Sequence, residues 1–453
     1  MGKRLFGTDG IRGVAGSYPL DPATVRALGI ALADELRRQD RGHEAVLLGM
    51  DTRESGPAIA AQLASGLAHR QIEVAFAGVV TTPGVAYLTR TGDFAAGVMI
   101  SASHNPFEDN GIKVFAKSGY KLPDDEEEAI EEEIFRILPG VRAAVQDEES
   151  YEKPQPLAET YSSRRYIDFL LSTLSTLFCG QKIVLDCGNG AASALAPELF
   201  REAGADVTAI CNGPNGRNIN LNCGALHLEN LRRQVVAEGA DAGVAFDGDA
   251  DRALLVAPSG RIVDGDAILL IAARRLQADG HLPGSLVVST VMSNLGLEKA
   301  LAAHGIQMLR TAVGDKYVLE EMIRKGAPLG GEQSGHIIFH EYSTTGDGML
   351  TALKVLETAQ RESATLDQLA EEMVVYPQTL VNVRVKEKKP LEEMPRVRAE
   401  IDACERELAE SGRVLVRFSG TEPLLRVMVE GAEQGQIEGM AERIVGAIRA
   451  ELG

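Results

Sequence analysis

Short apolar, β-branched runs alternate with longer stretches of helical period along most of this chain, and that alternation restricts its fold more than any other feature. Residues 46–50, 74–77, 97–100, 183–186, 244–246, 254–257 and 286–288 are too short for helices and too continuously apolar for loops, so they read as buried strands. Between or after them, 23–38, 57–70, 192–203, 267–278 and 347–359 carry the spacing of helices packed by one face. Such alternation predicts α/β domains with mixed or parallel sheets. At roughly 150 residues per domain, 453 residues make about three or four of them. The polar segment 146–163, with Pro154 and Pro156, closes the first domain. Pro258-Ser259-Gly260 turns the chain after the second, and 374–378 ends the third, beyond which a charged stretch and Pro390 interrupt a smaller α+β tail. The expected domains are therefore 1–155, 156–257, 258–374 and 375–453. An acidic run at 124–128 and 131–133 follows Pro123, where a helix start favours carboxylates.

Charge narrows the function. Lys plus Arg number 46 against 65 Asp plus Glu, a net charge of −19, which argues against general nucleic-acid binding. No apolar stretch reaches the ~18 residues of a membrane span, and Asp9 and Arg12 arrive before a signal-peptide core could form. The five cysteines, 179, 187, 211, 223 and 404, are odd in number and include no C-x-x-C pair. Neither a disulfide framework nor a zinc site is expected from that spacing, and a reduced cytoplasmic setting fits.

Four loops carry chemistry. S-A-S-H-N-P-F-E-D-N-G-I-K, 101–113, places Ser103 just beyond a strand's C-terminal end, where α/β sheets hold ligands. Asn110-Gly111 predicts a tight turn, with Lys113 starting a returning strand near Ser103 and His104. A hydrolase nucleophile is one reading of Ser103, but the G-x-S-x-G elbow is missing; an exposed Ser-Asn-Pro turn is another. F-D-G-D-A-D-R, 246–252, sets Asp247, Asp249 and Asp251 at alternate positions between two strands. In an extended loop their carboxylates converge, and three converging anions call for a cation, Mg²⁺ by ligand type. An EF-hand is excluded by Arg252 at loop position 6 and Pro258 at position 12. A haloacid-dehalogenase-type site with Asp247 as nucleophile lacks the usual Thr or Val after the second Asp, and a polar turn remains the bland alternative. G-G-E-Q-S-G-H, 330–336, offers Glu332, Ser334 and His336 to sugar hydroxyls, or is a glycine-rich turn. R-F-S-G-T-E-P-L-L-R, 417–426, can surround a phosphate with Arg417, Ser419, the Gly420 amide and Thr421, with Arg426 as a further fork, or form a Ser-Gly turn. Arg12 and Arg53 lie in similar polar settings, Arg53 expected to pair with Asp51 or Glu54. A nucleophile, a cation cage, a hydroxyl reader and an anion clamp together predict phosphoryl transfer on a phosphorylated polyhydroxy substrate.

In order and spacing, S-A-S-H-N-P, D-G-D-A-D-R, G-E-Q-S-G-H and R-x-S-G-T-E-P resemble the α-D-phosphohexomutase superfamily from residue 6 to about 430. F-G-T-D-G-I-R-G at 6–13 and Gln333 resemble its glucosamine-phosphate branch; phosphomannomutases and phosphoglucomutases are the alternative within it. The resemblance implies three α/β domains and a TATA-binding-protein-like fourth. It implies conversion of glucosamine 6-phosphate to glucosamine 1-phosphate through a 1,6-bisphosphate, toward UDP-N-acetylglucosamine. Phosphorylated Ser103 would carry the group, and Mg²⁺ would be held by Asp247, Asp249, Asp251 and the Ser103 phosphate. Arg252, Glu332, Ser334, Arg417, Ser419, Gly420, Thr421 and Arg426 would contact substrate. Lys113 and Arg12 would balance charge, and His104, His336 and Lys113, the last with a depressed pKa, would be the proton-transfer candidates. A cytoplasmic enzyme taking a small sugar phosphate is implied, with a homodimer left open. Departures include Gly188 for Ala in D-C-A-N-G and L-N-C-G-A-L at 221–226 for D-G-C-G-S-T. Lys316 for Arg in V-G-D-R-Y is expected to alter the third domain's grip on substrate. A phosphatase of this architecture would not need the clamp, and a non-catalytic sensor would need neither Ser103 nor the aspartates.

Overall fold

The computed structural model describes residues 5–147, 155–387, 389–418 and 424–452. Four sheets follow one another along these residues. The first has six strands in the order Phe6–Gly7, Gly10–Val14, Asp109–Ala116, Phe94–Ile100, Ala45–Met50, Val74–Val79. Its last three strands run parallel, and Asp109–Ala116 returns antiparallel to Phe94–Ile100. The second, of five strands, keeps Lys182–Asp186 parallel to both Asp206–Ile210 and Ala242–Phe246. It ends in two antiparallel strands, Ala253–Val256 and Ile262–Val263, so pairing continues past residue 257. Four strands, Gln307–Thr311, Leu286–Thr290, Leu329–Gly331 and Ile337–Phe339, make the third. The fourth is antiparallel, Gln378–Arg384, Leu424–Gly431 and Gly412–Phe418, backed by helices Pro395–Leu408 and Gln434–Leu452. Three mixed α/β sheets and one small α+β unit are thus the architecture.

Pattern explains placement. Phe94–Ile100, F-A-A-G-V-M-I, is buried at every position because both sheet faces are covered. Each large apolar side chain removed from water there contributes roughly 1.5–3 kcal/mol. One core joins the first three sheets, running from Leu47 and Val85 through Phe200 and Phe246 to Leu353 and Met373. The fourth unit keeps its own, around Val397, Val427 and Ile444. Helix Asp124–Gln146 starts behind Pro123 with four acids in its first turn, as the acidic run predicted. No helix among the described residues is long and apolar enough to cross a membrane.

Two local expectations are overturned. Asn110-Gly111 makes no tight turn: both residues lie inside strand Asp109–Ala116, where Gly13 and Arg12 pair with them. A Cβ on Gly111 would sit 2.5 Å from the Ser101 carbonyl, so glycine permits close packing here. Nor is 247–251 extended. Ala250 takes a left-handed φ of 54°, and the carboxylates converge because the loop wraps, not through strand alternation.

Candidate functional site

Ser103 is buried with a left-handed φ of 52° just past strand Phe94–Ile100. That uncommon backbone is held from below by Arg53, whose guanidinium donates to the carbonyls of Ser103 (2.9 Å), Asn105 (2.9 Å), Asp109 (3.1 Å) and Pro106. Its Nε donates to Asp51 at 2.9 Å, and Asp51 also accepts from Ser101 Oγ at 2.6 Å. Of the two partners expected for Arg53, only Asp51 is used; Glu54 pairs with Arg217 at 2.6 Å. Asn220, from the second domain, adds its amide to the Ser103 carbonyl at 2.9 Å. Close approach of the two loops depends on Gly248, where a Cβ would lie 2.4 Å from that same carbonyl.

So positioned, Ser103 Oγ donates to Asp247 Oδ2 at 2.5 Å and lies 3.4 Å from His104 Nδ1. Asp247, Asp249 and Asp251 are buried, each with a carboxylate oxygen within 4.8 Å of the others. Thr82, at the start of helix Thr82–Thr91, donates to Asp249 at 2.5 Å. Lys113 Nζ sits among the acids at 2.9 Å from Asp249, 3.1 Å from Asp9 and 3.4 Å from Asp251. Burial and its two neighbouring aspartates push the Asp247 carboxyl well up. Burial also raises Asp251, but Lys113 and His336 outweigh it and hold that carboxyl well below the usual range. A depressed Lys113 is not found. Burial alone would depress it, yet Asp249, Asp9 and Asp251 hold it well above its ordinary value, so it is a fixed cation.

The cage suits a hard cation. Asp249 Oδ1 and Asp251 Oδ1 are buried and accept no hydrogen bond from the described residues, leaving oxygen donors aimed inward. Beside it opens a cavity of about 440 Å³ lined from three domains by Asp9, Arg12, His104, Arg252, Glu332 and His336, among others. Arg12 pairs with Asp9, and its Nε, like that of Arg252, is buried without a hydrogen-bond acceptor. Burial, Arg252 and Arg12 push His104 down to about 4. Gly346 N lies 3.0 Å from His336 Nε2 and Nδ1 lies 3.6 Å from Asp251; burial pulls this imidazole's pKa down, but Asp251, Asp315 and Glu332 outweigh it and raise it. Glu332 Oε1 accepts from Gly314 N–H at 3.1 Å at the head of helix Asp315–Lys325. Ser334 Oγ is buried without a partner, outside the cavity lining. Lys316 also lies outside it: its ammonium engages Asp124 of the first domain, an interdomain pair rather than a substrate contact.

Sequence reasoning missed Lys121 and Asp315. Lys121, partly buried, bridges Asp9 of the first domain to Asp315 of the third, at 2.6 Å from the latter. Asp315 belongs to V-G-D-K-Y, whereas Lys121, in G-Y-K-L-P, lies in none of the motifs. On the fourth sheet Arg417 and Arg426 stand directly opposite each other on neighbouring strands. Burial and Arg426 lower the Arg417 pKa. Neither lines the cavity, and Ser419, Gly420 and Thr421 lie outside the described residues.

Known proteins match along the whole chain. The phosphoglucomutase/phosphomannomutase alpha/beta/alpha domain I matches residues 3–139, domain II 164–260, domain III 264–376, and the C-terminal domain 380–447. A phosphoglucosamine mutase of Solibacter usitatus is 59% identical, covering 100% of both chains. That of Koribacter versatilis is 51% identical over 100% of this chain and 98% of its own. Among solved structures, a phosphoglucomutase/phosphomannomutase family protein of Burkholderia thailandensis superposes with a TM-score of 0.81 at 25% identity, covering 98% of this chain and 97% of its own. The N-acetylphosphoglucosamine mutase of Aspergillus fumigatus, in complex with GlcNAc-6P and magnesium, shares the fold at a TM-score of 0.64 and 20% identity, covering 99% and 96%.

Proposed function

The chain belongs to the phosphoglucomutase/phosphomannomutase family, and on that premise we propose that it interconverts glucosamine 6-phosphate and glucosamine 1-phosphate through a phosphorylated Ser103. The full-length likeness to phosphoglucosamine mutases supports the sugar. One observation carries the chemistry: Ser103 Oγ lies 2.5 Å from a buried three-aspartate cage, at the edge of a cavity that three domains line with both cations and hydroxyl acceptors. The four units, taken as 1–155, 156–257, 258–374 and 375–453, then contribute one chemical element each.

Asp247, Asp249 and Asp251 would hold Mg²⁺ together with the Ser103 phosphate. That ion, when bound, supplies charge stabilisation for the serine oxygen as it leaves or attacks. In the forward direction phospho-Ser103 gives its group to the 1-hydroxyl, whose proton must leave, forming glucosamine 1,6-bisphosphate. The bisphosphate reverses in the cleft, the 6-phosphoryl group bonds to Ser103, and the 6-oxygen takes a proton back. His104, neutral near pH 7 and 3.4 Å from Ser103 Oγ, is the group placed to hold that proton at Nδ1. Lys113 and Arg12 balance phosphoryl charge, Lys113 as a permanent cation. His336, its Nε2 occupied by Gly346, orients Asp251 instead of exchanging protons with substrate. Glu332 and Ser334 read hydroxyls, while Arg252, Arg417, Ser419, Gly420, Thr421 and Arg426 hold the phosphate that is not reacting.

Ser103→Ala is expected to reduce turnover of glucosamine 6-phosphate, primed with a trace of bisphosphate, to background while leaving the fold intact. Mass spectrometry should find a phosphate on Ser103 of the active enzyme. Undiminished turnover in the variant would overturn the mechanism, and faster turnover of glucose or mannose 6-phosphate would overturn the sugar.

A further inference from the structure

The second domain gathers another set of ligand atoms on the far side of the loop that steadies Ser103. Asp186 ends strand Lys182–Asp186, and Cys211 follows the neighbouring parallel strand Asp206–Ile210, Asp186 being in register with Ile210. Both therefore sit at C-terminal strand ends, where such sheets place ligands. Cys223 arrives from a third direction, just before the turn Gly224–Leu226. A carboxylate oxygen of Asp186 and the two sulfurs lie within 4.8 Å of one another. All the cysteines are free thiols. Asp186 is wholly buried: Oδ1 accepts from Gly188 N–H at 3.0 Å, and the Gly224 N–H and the Cys211 thiol also bond to the carboxylate. A buried carboxylate beside two thiols, with all three donor atoms this close, is a ligand set for a metal ion once the thiol protons leave.

We propose that Asp186, Cys211 and Cys223 form a second cation site, selective for a thiophilic divalent ion of the zinc type. Two sulfurs and one carboxylate leave a fourth tetrahedral position around an ion with Zn–S bonds of about 2.3 Å. Mg²⁺, which prefers all-oxygen donors, does not compete. Binding replaces two S–H protons, released to solvent, by two metal–sulfur bonds, and no electron moves. Cys211 is partly exposed and gives the ion its entry. Asn189 lies in the outer shell, its amide 3.7 Å from Cys223 Sγ and its N–H on the Cys211 carbonyl at 2.6 Å. The consequence reaches the catalytic loop, because 211–223 contains Asn220, which holds the Ser103 and Asn105 carbonyls. Spacing hid the site: its ligands come from three separate turns instead of one C-x-x-C.

The test is a Co²⁺ titration of the reduced full-length protein with Mg²⁺ in excess, read by thiolate-to-cobalt absorption. One equivalent per chain is expected, displaced by Zn²⁺. The band should vanish in Cys211→Ser and Cys223→Ser, weaken at least about 10-fold in affinity in Asp186→Asn, and persist in Asp249→Asn and Cys404→Ser. Cys211, partly exposed, is the variant least disturbing to folding, which circular dichroism checks. No band from a protein with five titratable thiols, a band surviving in folded Cys211→Ser, or a Cys211–Cys223 disulfide would overturn the proposal.

Discussion

Around Lys113, three carboxylates lie within 3.4 Å of one buried ammonium, whereas on the fourth sheet two guanidinium groups face one another across neighbouring strands. In the first region opposite charges attract one another before any ligand arrives, although one ammonium offsets only part of the negative charge. In the second they repel, as like charges directly opposite on a sheet do. A site of the first kind is bound into the stability of the fold, since its groups are too buried to lose a partner. A site of the second kind gains most from an anion, and it sits on a unit with a separate core. On the proposed function, the centre at Ser103 is thus preassembled, and the like-charged arginines are the part that a bound phosphate would relieve.

Lys113→Met tests the first half most severely. Breaking a buried charge cluster from one side costs about 3–5 kcal/mol, and the three carboxylates would then depend on a dissolved cation. Denaturant unfolding should show that loss without Mg²⁺ and a partial recovery with it, while the wild type gains less. Equal losses in both conditions would mean that Lys113 and the cation site are independent.

Arg417→Ala tests the second half. Stability should stay within about 0.5 kcal/mol, because among the described residues no carboxylate pairs with the arginine. A charged hydrogen bond to phosphate is worth about 1.5–3 kcal/mol, so KM for the sugar phosphate should rise roughly 10- to 100-fold. A large stability loss with unchanged KM would show that the arginine is structural.

This contrast was only half legible in the sequence. The strands were, because an apolar run buried on both faces leaves little choice of structure, and 244–246 or 286–288 differ from the observed elements by only a residue or two at each end. The aspartate loop was legible because its ligands are neighbours in the chain. Its compensation was not: Lys113 to Asp249, Thr82 to Asp249 and Lys121 to Asp315 join residues more than 100 positions apart. Arg53 was read as one ion pair, although four carbonyls of the Ser103 loop depend on it. Asn110-Gly111 misled because cross-strand pairing with Gly10–Val14 outweighs a local turn preference.

The smallest effect is expected at the joint between the two regions. Asn294 exchanges two hydrogen bonds of 2.9 Å with the backbone of Tyr376, and Leu295 N–H donates to buried Glu430 of the fourth sheet at 2.8 Å. Asn294 is itself held by Asp266, which accepts from its N–H at 2.8 Å while its other oxygen is buried unpaired. Burial and neighbouring Asp264 push the Asp266 carboxyl up from 3.8 to about 7, against the opposing pull of Asn294, Ser293 and Arg310. Between those two values the folded protein keeps a proton that the unfolded chain has lost. The stability this contributes is complete below pH 3.8 and disappears as pH rises through 7. From pH 6 to pH 8 the loss is about 1.4 kcal/mol. Asp266→Asn carries no such proton, so its denaturant unfolding should depend less on pH by that amount. Parallel curves for the two proteins would place the pH sensitivity elsewhere and leave the joint indifferent to Asp266.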